Sequence, residues 1–250
     1  MTFERSKEIA HSVQRELIMY RDLLRDERTP ASAKLFLGLA RIQTTLGKTI
    51  RLLWNPEQDY QKTRRAGTKE RWKLIQSRIT GTSSLLDVGC SSGVMTALAA
   101  EVGLFAIGLD ANWEVISDAC KKSKPNLSLA YIHFVVTPQS VAALPVCDVV
   151  LCLSIYHQWH REFGHEGAQQ ILRILGTKAR KRLFFEPASK QSRYGPKPPA
   201  FADSDERSII DYNHGMLGAL FGNENVEFLG ATMASRSELV RYLFTIQMQP

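Results

Sequence analysis

Hydrophobic and polar positions alternate along this chain in two recognisable ways. Ile9, Val13, Leu17, Tyr20 and Leu24 recur at helical spacing, with Arg and Glu on the other face, and predict a helix over residues 9–24. Asp26-Glu27-Arg28-Thr29-Pro30 breaks it. Thr29 can cap a second helix with Pro30 at its first position, and Leu35, Leu39, Ile42, Leu46, Ile50 and Leu53 give that helix one apolar stripe ending near Trp54-Asn55-Pro56. The two form a helical hairpin, an N-terminal extension over residues 1–56. It is either a cap packed on the domain C-terminal to it or, since Arg41, Lys48 and Arg51 border the stripe, a platform for substrate, partner or membrane surface.

From residue 57 the pattern changes. Asp59 to Arg71 is a basic linker, and Trp72, Ile75 and Ile79 mark a helix. Short apolar runs then alternate with helical segments, the signature of an α/β domain with a buried, mostly parallel sheet. Leu85 to Val88, Leu104 to Leu109, Leu127 to Val136, Cys147 to Ser154 and Arg182 to Glu186 read as strands. Val94 to Val102, Asn112 to Lys121, Gly164 to Leu175 and Ile209 to Phe221 read as helices, and Lys190 to Glu206 reads as a loop over the site. Val226 to Met233 and Tyr242 to Met248 read as a closing antiparallel pair.

The stretch Leu85 to Asn112 carries the first chemistry. It reads strand, then Gly89-Cys90-Ser91-Ser92-Gly93, then helix, strand and Asp110. Glycines let a backbone approach a ligand where a Cβ would clash, and the helix after them turns free N–H groups toward the turn. A carboxylate about 20 residues on, at the end of the next strand, can accept both hydroxyls of a ribose. This is a nucleotide site, but not the G-x-G-x-x-G of a dinucleotide fold.

Asp87-Val88-Gly89-Cys90-Ser91-Ser92-Gly93 resembles the first motif of class I S-adenosylmethionine (SAM) dependent methyltransferases. The resemblance implies a Rossmann-like, seven-stranded, mostly parallel sheet with an antiparallel C-terminal pair, over a domain spanning residues 57–250. It implies SAM as cofactor, with the methionine part at Asp87, Gly89, Cys90, Ser91 and Gly93 and the ribose at Asp110, Ala111 and Asn112. Ser91 stands where a third glycine is common. Ser154 ends the fourth strand on the same edge. The segment before the first domain helix folds over SAM in many members, which makes Tyr60, Arg65 and Arg71 candidates for the SAM carboxylate. The usual adenine contact after the third strand has no counterpart in Thr137-Pro138-Gln139-Ser140.

Ser154-Ile155-Tyr156-His157-Gln158-Trp159-His160 ends the fourth strand, where ligands sit in an open parallel sheet. Together with Gly164, Glu166, Gly167, Glu186-Pro187 and Tyr194-Gly195 it resembles RNA 5′-phosphate-capping methyltransferases of the bicoid-interacting type. The O-antigen chain-terminating phosphate methyltransferases share part of the pattern. His157 and Gln158 depart from it. The expectation is that His157, His160 and Glu186 act in catalysis and that Tyr156, Trp159, Arg193 and Tyr194 meet the substrate. A phosphate oxygen is already anionic near pH 7 and needs no base, whereas a hydroxyl would profit from a histidine. Each histidine also has a plain reading as a hydrogen-bonded structural residue. A metal site at His157, His160 and Glu186 is set aside, because shared residue types do not fix a coordination geometry.

The formal charge of +7 over 250 residues leans toward an anionic partner, RNA or a phosphorylated glycan. No run approaches the roughly 18 apolar residues of a membrane span, and charges interrupt the first 16 residues where a signal peptide would need an apolar core. The expectation is a cytoplasmic protein whose Cys90, Cys120, Cys147 and Cys152 are reduced thiols. The functional expectation is O-methylation of a phosphate or hydroxyl on an anionic substrate. The alternatives are a small-molecule hydroxyl methyltransferase and a non-catalytic binding module.

Overall fold

The computed structural model describes residues 67–123, 126, 128–203, 205–233 and 240–249. The predicted hairpin, its boundary at residue 56, Tyr60 and Arg65 lie outside the described residues.

Seven strands form one sheet in the order β3-β2-β1-β4-β5-β7-β6. They are β1 (Ser84–Val88), β2 (Phe105–Asp110), β3 (Leu129–His133), β4 (Cys147–Leu153), β5 (Ala179–Glu186), β6 (Val226–Met233) and β7 (Val240–Gln247). Neighbours among β1 to β5 pair in parallel, and β7 runs antiparallel to both β5 and β6. The chain steps outward from β1 to β3, then crosses back to β4. That reversal between β1 and β4 is the switch point at which such sheets open a crevice at their C-terminal edge.

Alternation along the strands sorts residues to two faces. Leu85, Val149, Leu151, Phe184 and Leu243 join one core, with Trp72 and Ile75 of α1 (Thr68–Gln76), Met95 and Ala99 of α2 (Val94–Glu101), and Ile116 of α3 (Trp113–Lys122). Leu86, Val150, Leu183 and Phe185 join the other, with Ile171, Leu172 and Leu175 of α4 (Tyr156–Lys178) and Ile209 and Leu217 of α5 (Glu206–Phe221). Both faces are covered, which is why the strand runs are continuously apolar; β1 and β4 are buried at every position. Each fully buried Leu or Ile contributes about 1.5–3 kcal/mol by leaving water.

Caps agree with the sequence. The Asn112 side chain accepts from the Glu114 N–H at the start of α3, and Asp205 accepts from the Arg207 N–H at the start of α5. Gly222 closes α5 with φ 88. Among the described residues no helix is long and apolar enough to cross a membrane.

Two boundaries differ from expectation. The basic linker ends before Thr68, because Arg71 already lies in α1 and is buried against the sheet. The helix expected from Gly164 begins at Tyr156, with Gly164 as a kink at φ 73 and ψ −180. The stretch read as a polar strand end is therefore the first two turns of α4.

Candidate functional site

A cleft of about 420 Å³ opens at the C-terminal edge of the sheet over β1, β2 and β4. Its floor comes from the strand ends. Val88 is level with Leu109 on one side and Cys152 on the other, and Leu153 is level with Glu186. The next residue of each strand thus reaches the rim together.

The glycine turn is fixed by its own hydrogen bonds. Gly89 N–H and Cys90 N–H both donate to the Leu109 carbonyl at 2.8 Å, and Gly93 N–H donates to the Cys90 carbonyl at 2.9 Å. Gly89 and Gly93 have φ 76 and 74, and Ser91 has φ 53. Ser91 thus bears the left-handed cost a glycine would escape, which accounts for the glycine common at this position. Gly93 does not line the cleft; a Cβ there would collide with the Tyr131 ring, so its role is to let α2 start against β3. Gly89, Cys90 and Ser91 do line it.

Asp110 joins the turn to β2. One carboxylate oxygen accepts from Ser91 N–H at 2.9 Å and the other from Asn112 N–H at 2.8 Å. A carboxylate oxygen can accept more than one hydrogen bond, and Asp110, Ala111 and Asn112 all line the cleft. Asp87 is buried and accepts from the Thr96 hydroxyl at 2.7 Å. Burial pushes its carboxyl up to about 6; the Thr96 bond and Arg71 oppose that, and Asp110 adds to it. An acid raised in this way lowers its energy when a cation arrives.

The cleft continues past Phe134, Val135 and Val136, the edge that sequence reasoning left unassigned. Val94 and Val135 also line it, and they are two of the four exposed large hydrophobics among the described residues. A flat apolar ligand face fits there.

The other side of the cleft is basic. Asp87, Glu186 and Arg241 share the sheet face of Leu85, Phe184 and Leu243, and α1 lays Arg71 across it. One Arg71 terminal nitrogen donates to both Glu186 oxygens at 2.9 Å. Ser154, at φ 56, donates its hydroxyl to Glu186, and its N–H donates to the Glu186 carbonyl at 2.9 Å. Arg241 approaches the same carboxylate at 3.8 Å. Glu186 is fully buried and does not line the cleft; Arg71, Arg241 and Ser154 do. Glu186 is therefore placed to hold the residues that line the cleft rather than to meet a ligand.

The histidine stretch divides by helical period. Ile155, Gln158, Trp159 and Glu162 fall at i, i+3, i+4 and i+7 and line the cleft, with Arg161 and Phe163. Tyr156, His157 and His160 turn into the core instead, which corrects the expectation that the whole heptad faces the site. The ring centroids of His157, Tyr156 and His160 lie 6.2, 6.4 and 5.3 Å from that of Tyr194. His160 Nδ1–H donates to the Tyr194 carbonyl at 3.1 Å. Burial holds His160 below the usual histidine range, with the Tyr194 carbonyl opposing. Tyr194 is buried and its hydroxyl donates to the Ala188 carbonyl at 3.3 Å, so it anchors the 188–203 segment rather than lining the cleft. Arg193 is half-buried and also outside the lining.

Sequence reasoning missed Arg241, Thr68 and the Phe134–Val136 edge, and gave Gln158 no role beyond its place in the heptad. The i, i+3, i+4, i+7 stripe from Ile155 was the available signal for Gln158. Nothing local marks Arg241.

No protein-family model matches the sequence, and no curated protein matches it. Solved structures do. The bifunctional kinase-methyltransferase WbdD superposes with a TM-score of 0.55 at 17% identity over 71% of this chain, which spans 39% of the WbdD chain. Magnesium protoporphyrin IX methyltransferase (ChlM) from Synechocystis PCC 6803 with bound SAM gives 0.51 at 17% identity, covering 82% of this chain and 92% of that one. The N-methyltransferase NodS from Bradyrhizobium japonicum WM9 with S-adenosyl-L-homocysteine (SAH) gives 0.53 at 12% identity, covering 83% and 99%. The chain has the seven-stranded, Rossmann-like fold of these methyltransferases.

Proposed function

We propose that this chain is a SAM-dependent methyltransferase acting on a phosphate or hydroxyl oxygen of an anionic substrate. The observation that carries the reading is the joined set of Asp87, the Gly89–Ser91 turn and Asp110 around one cleft. The residues fit the cofactor. Asp110 offers carboxylate oxygens to a ribose, Phe134–Val136 and Val94 offer an apolar edge to a base, and buried Asp87 favours a nearby cation. Neighbours of the same fold bind SAM or SAH, which supports the assignment.

When bound, SAM supplies a methyl group whose bond to sulfur breaks as its bond to the acceptor oxygen forms. The chain's residues have to align the acceptor and exclude water. Trp159 and Phe163 wall the cleft, and Gln158 offers an amide to it. His157 and His160 stand behind that wall, away from the lining, and His160 is held neutral near pH 7. This arrangement favours an acceptor that arrives already anionic and has no proton to give up. RNA 5′ ends and phosphorylated glycan or lipid carriers have that chemistry.

The test tracks labelled methyl groups from SAM into the nucleic-acid, glycolipid, protein and small-molecule fractions of a source-cell extract. Label in nucleic acid or glycolipid that disappears after phosphatase pretreatment is the expected result. Label only in protein, or label indifferent to phosphatase, contradicts the acceptor assignment.

A further inference from the structure

The stripe of α4 along the cleft begins on the glycine turn. A Cβ built on Gly89 would stand 3.2 Å from the Ile155 side chain, so the start of α4 lies directly against that turn. Further along, a Cβ built on Gly195 would stand 3.1 Å from the Arg161 side chain, so the 188–203 segment abuts the stripe there. Gln158 falls midway, about 4.5 Å along the helix axis from each residue at 1.5 Å per residue. A ligand held over the Gly89 turn therefore has Gln158 as a neighbour on the α4 side.

We infer that Gln158 is the acceptor-binding residue, and that its amide N–H groups donate to an acceptor oxygen that arrives already ionised. The inference rests on the SAM-dependent reading and names the residue that holds its acceptor. Three observations converge. The Gln158 side chain lines the cleft, is half-buried and makes no hydrogen bond within the described residues. The other side-chain amide of the lining, Asn112, is committed to capping α3, and the Ser154 hydroxyl is committed to Glu186. The charged groups of the lining balance: Arg71, Arg161 and Arg241 stand against Asp87, Asp110 and Glu162. An acceptor oxygen is therefore fixed here by a directional hydrogen bond rather than by surplus charge.

The chemistry of an amide suits that task. It offers two N–H donors and does not titrate, so it holds an oxygen without giving or taking a proton. Its hydrogen bond is also weaker than the charge-assisted bond of a guanidinium, and it leaves more of the oxygen's charge for attack. As the bond from oxygen to the methyl carbon forms, the bond from that carbon to sulfur breaks and its electron pair stays on sulfur. An ionised oxygen loses its charge in that step and releases no proton, so no base is called for. A hydroxyl would have to lose one, and a glutamine has no means of taking it.

The experiment follows labelled methyl from SAM into the phosphatase-sensitive fraction of a source-cell extract, with the full chain as enzyme. A dilution series of extract separates the plateau rate from the half-saturating amount, and SAH is titrated calorimetrically into each protein. Gln158→Leu is expected to lower the rate at limiting extract about tenfold, as the loss of a hydrogen bond to a charged group does, with SAH affinity within about twofold of wild type. Gln158→Glu keeps the size but turns a carboxylate on the ionised oxygen, and is expected to lose about a hundredfold. Circular dichroism checks that both variants fold, and if Gln158→Leu does not, Gln158→Glu against wild type carries the test. Equal rates in wild type and Gln158→Leu overturn the inference. So does Gln158→Glu working as well as wild type or better, because only an acceptor with a proton to lose gains from a carboxylate. A loss of SAH affinity matching the loss of transfer overturns it as well, by placing Gln158 in the cofactor site. Wild type that binds SAH but labels no phosphatase-sensitive material overturns it together with the acceptor assignment. Failure of wild type to bind SAH at all refutes the SAM-dependent reading itself.

Discussion

Replacing Asp87 by Asn separates what the fold needs from what the ligand needs. The carboxyl is buried and raised to about 6 from an ordinary value of 3.8. A group raised in the folded state stabilises fully below its unfolded value, and that stability is lost as pH rises through the folded value. Between pH 7 and pH 5, Asp87 takes up most of a proton in the folded chain and almost none unfolded. The linkage amounts to about 1.3 kcal/mol of added stability at pH 5. The Asp87→Asn variant keeps an oxygen for the Thr96 hydroxyl but has no proton to titrate at that position. Urea unfolding of both proteins at the two pH values should therefore show wild type gaining about 1.3 kcal/mol on the variant as pH falls. Other titrating groups cancel in that difference. Cofactor binding should move the opposite way. Only the ionised acid favours a cation, so wild-type SAM affinity should fall about tenfold from pH 7 to pH 5, and the variant's weaker affinity should be flat. A wild-type-minus-variant stability that does not change with pH would refute the reasoning about Asp87.

Three more outcomes are expected from the same geometry. Glu186→Ala removes the buried carboxylate that accepts from Arg71 and stands 3.8 Å from Arg241, and should cost about 3–5 kcal/mol, read as a drop in the urea midpoint. Gly93→Ala meets both the left-handed φ of 74 and the Tyr131 ring, and should lower the thermal midpoint by more than Gly103→Ala, whose φ is 91 but whose Cβ would meet open space. His160→Gln removes a ring packed on Tyr194 behind the cleft wall; it should lower the thermal midpoint while the turnover number stays within about threefold of wild type and its pH profile keeps its shape.

The sheet was legible because its signals are local. The run Leu85 to Val88, the glycine turn and the Asp110 carboxylate each announce their place, and the structure brings them together as read. The stretch after Ser154 was not, because its aromatic and polar residues mix two faces of a helix. Read as a strand end, it sends the whole heptad to the ligand; wound as a helix, it keeps Ile155, Gln158 and Trp159 there and turns Tyr156, His157 and His160 into the core. Gly164 looked like a helix start and is a kink within one. The cleft edge beyond β3 carried no acid to announce it, only the apolar Phe134–Val136 run. Arg241 was invisible for a different reason. Its meaning lies in the partner it meets across the sheet, 55 positions from Glu186 in the chain, and no local spacing encodes that pairing.

The central claim is that the cleft at Asp87, Gly89 and Asp110 holds SAM. Calorimetric titration of SAH into the full chain and into Asp110→Ala tests it most directly. The account predicts one site per chain in wild type and at least tenfold weaker binding once the Asp110 carboxylate is gone. Binding of equal strength in both proteins would contradict it.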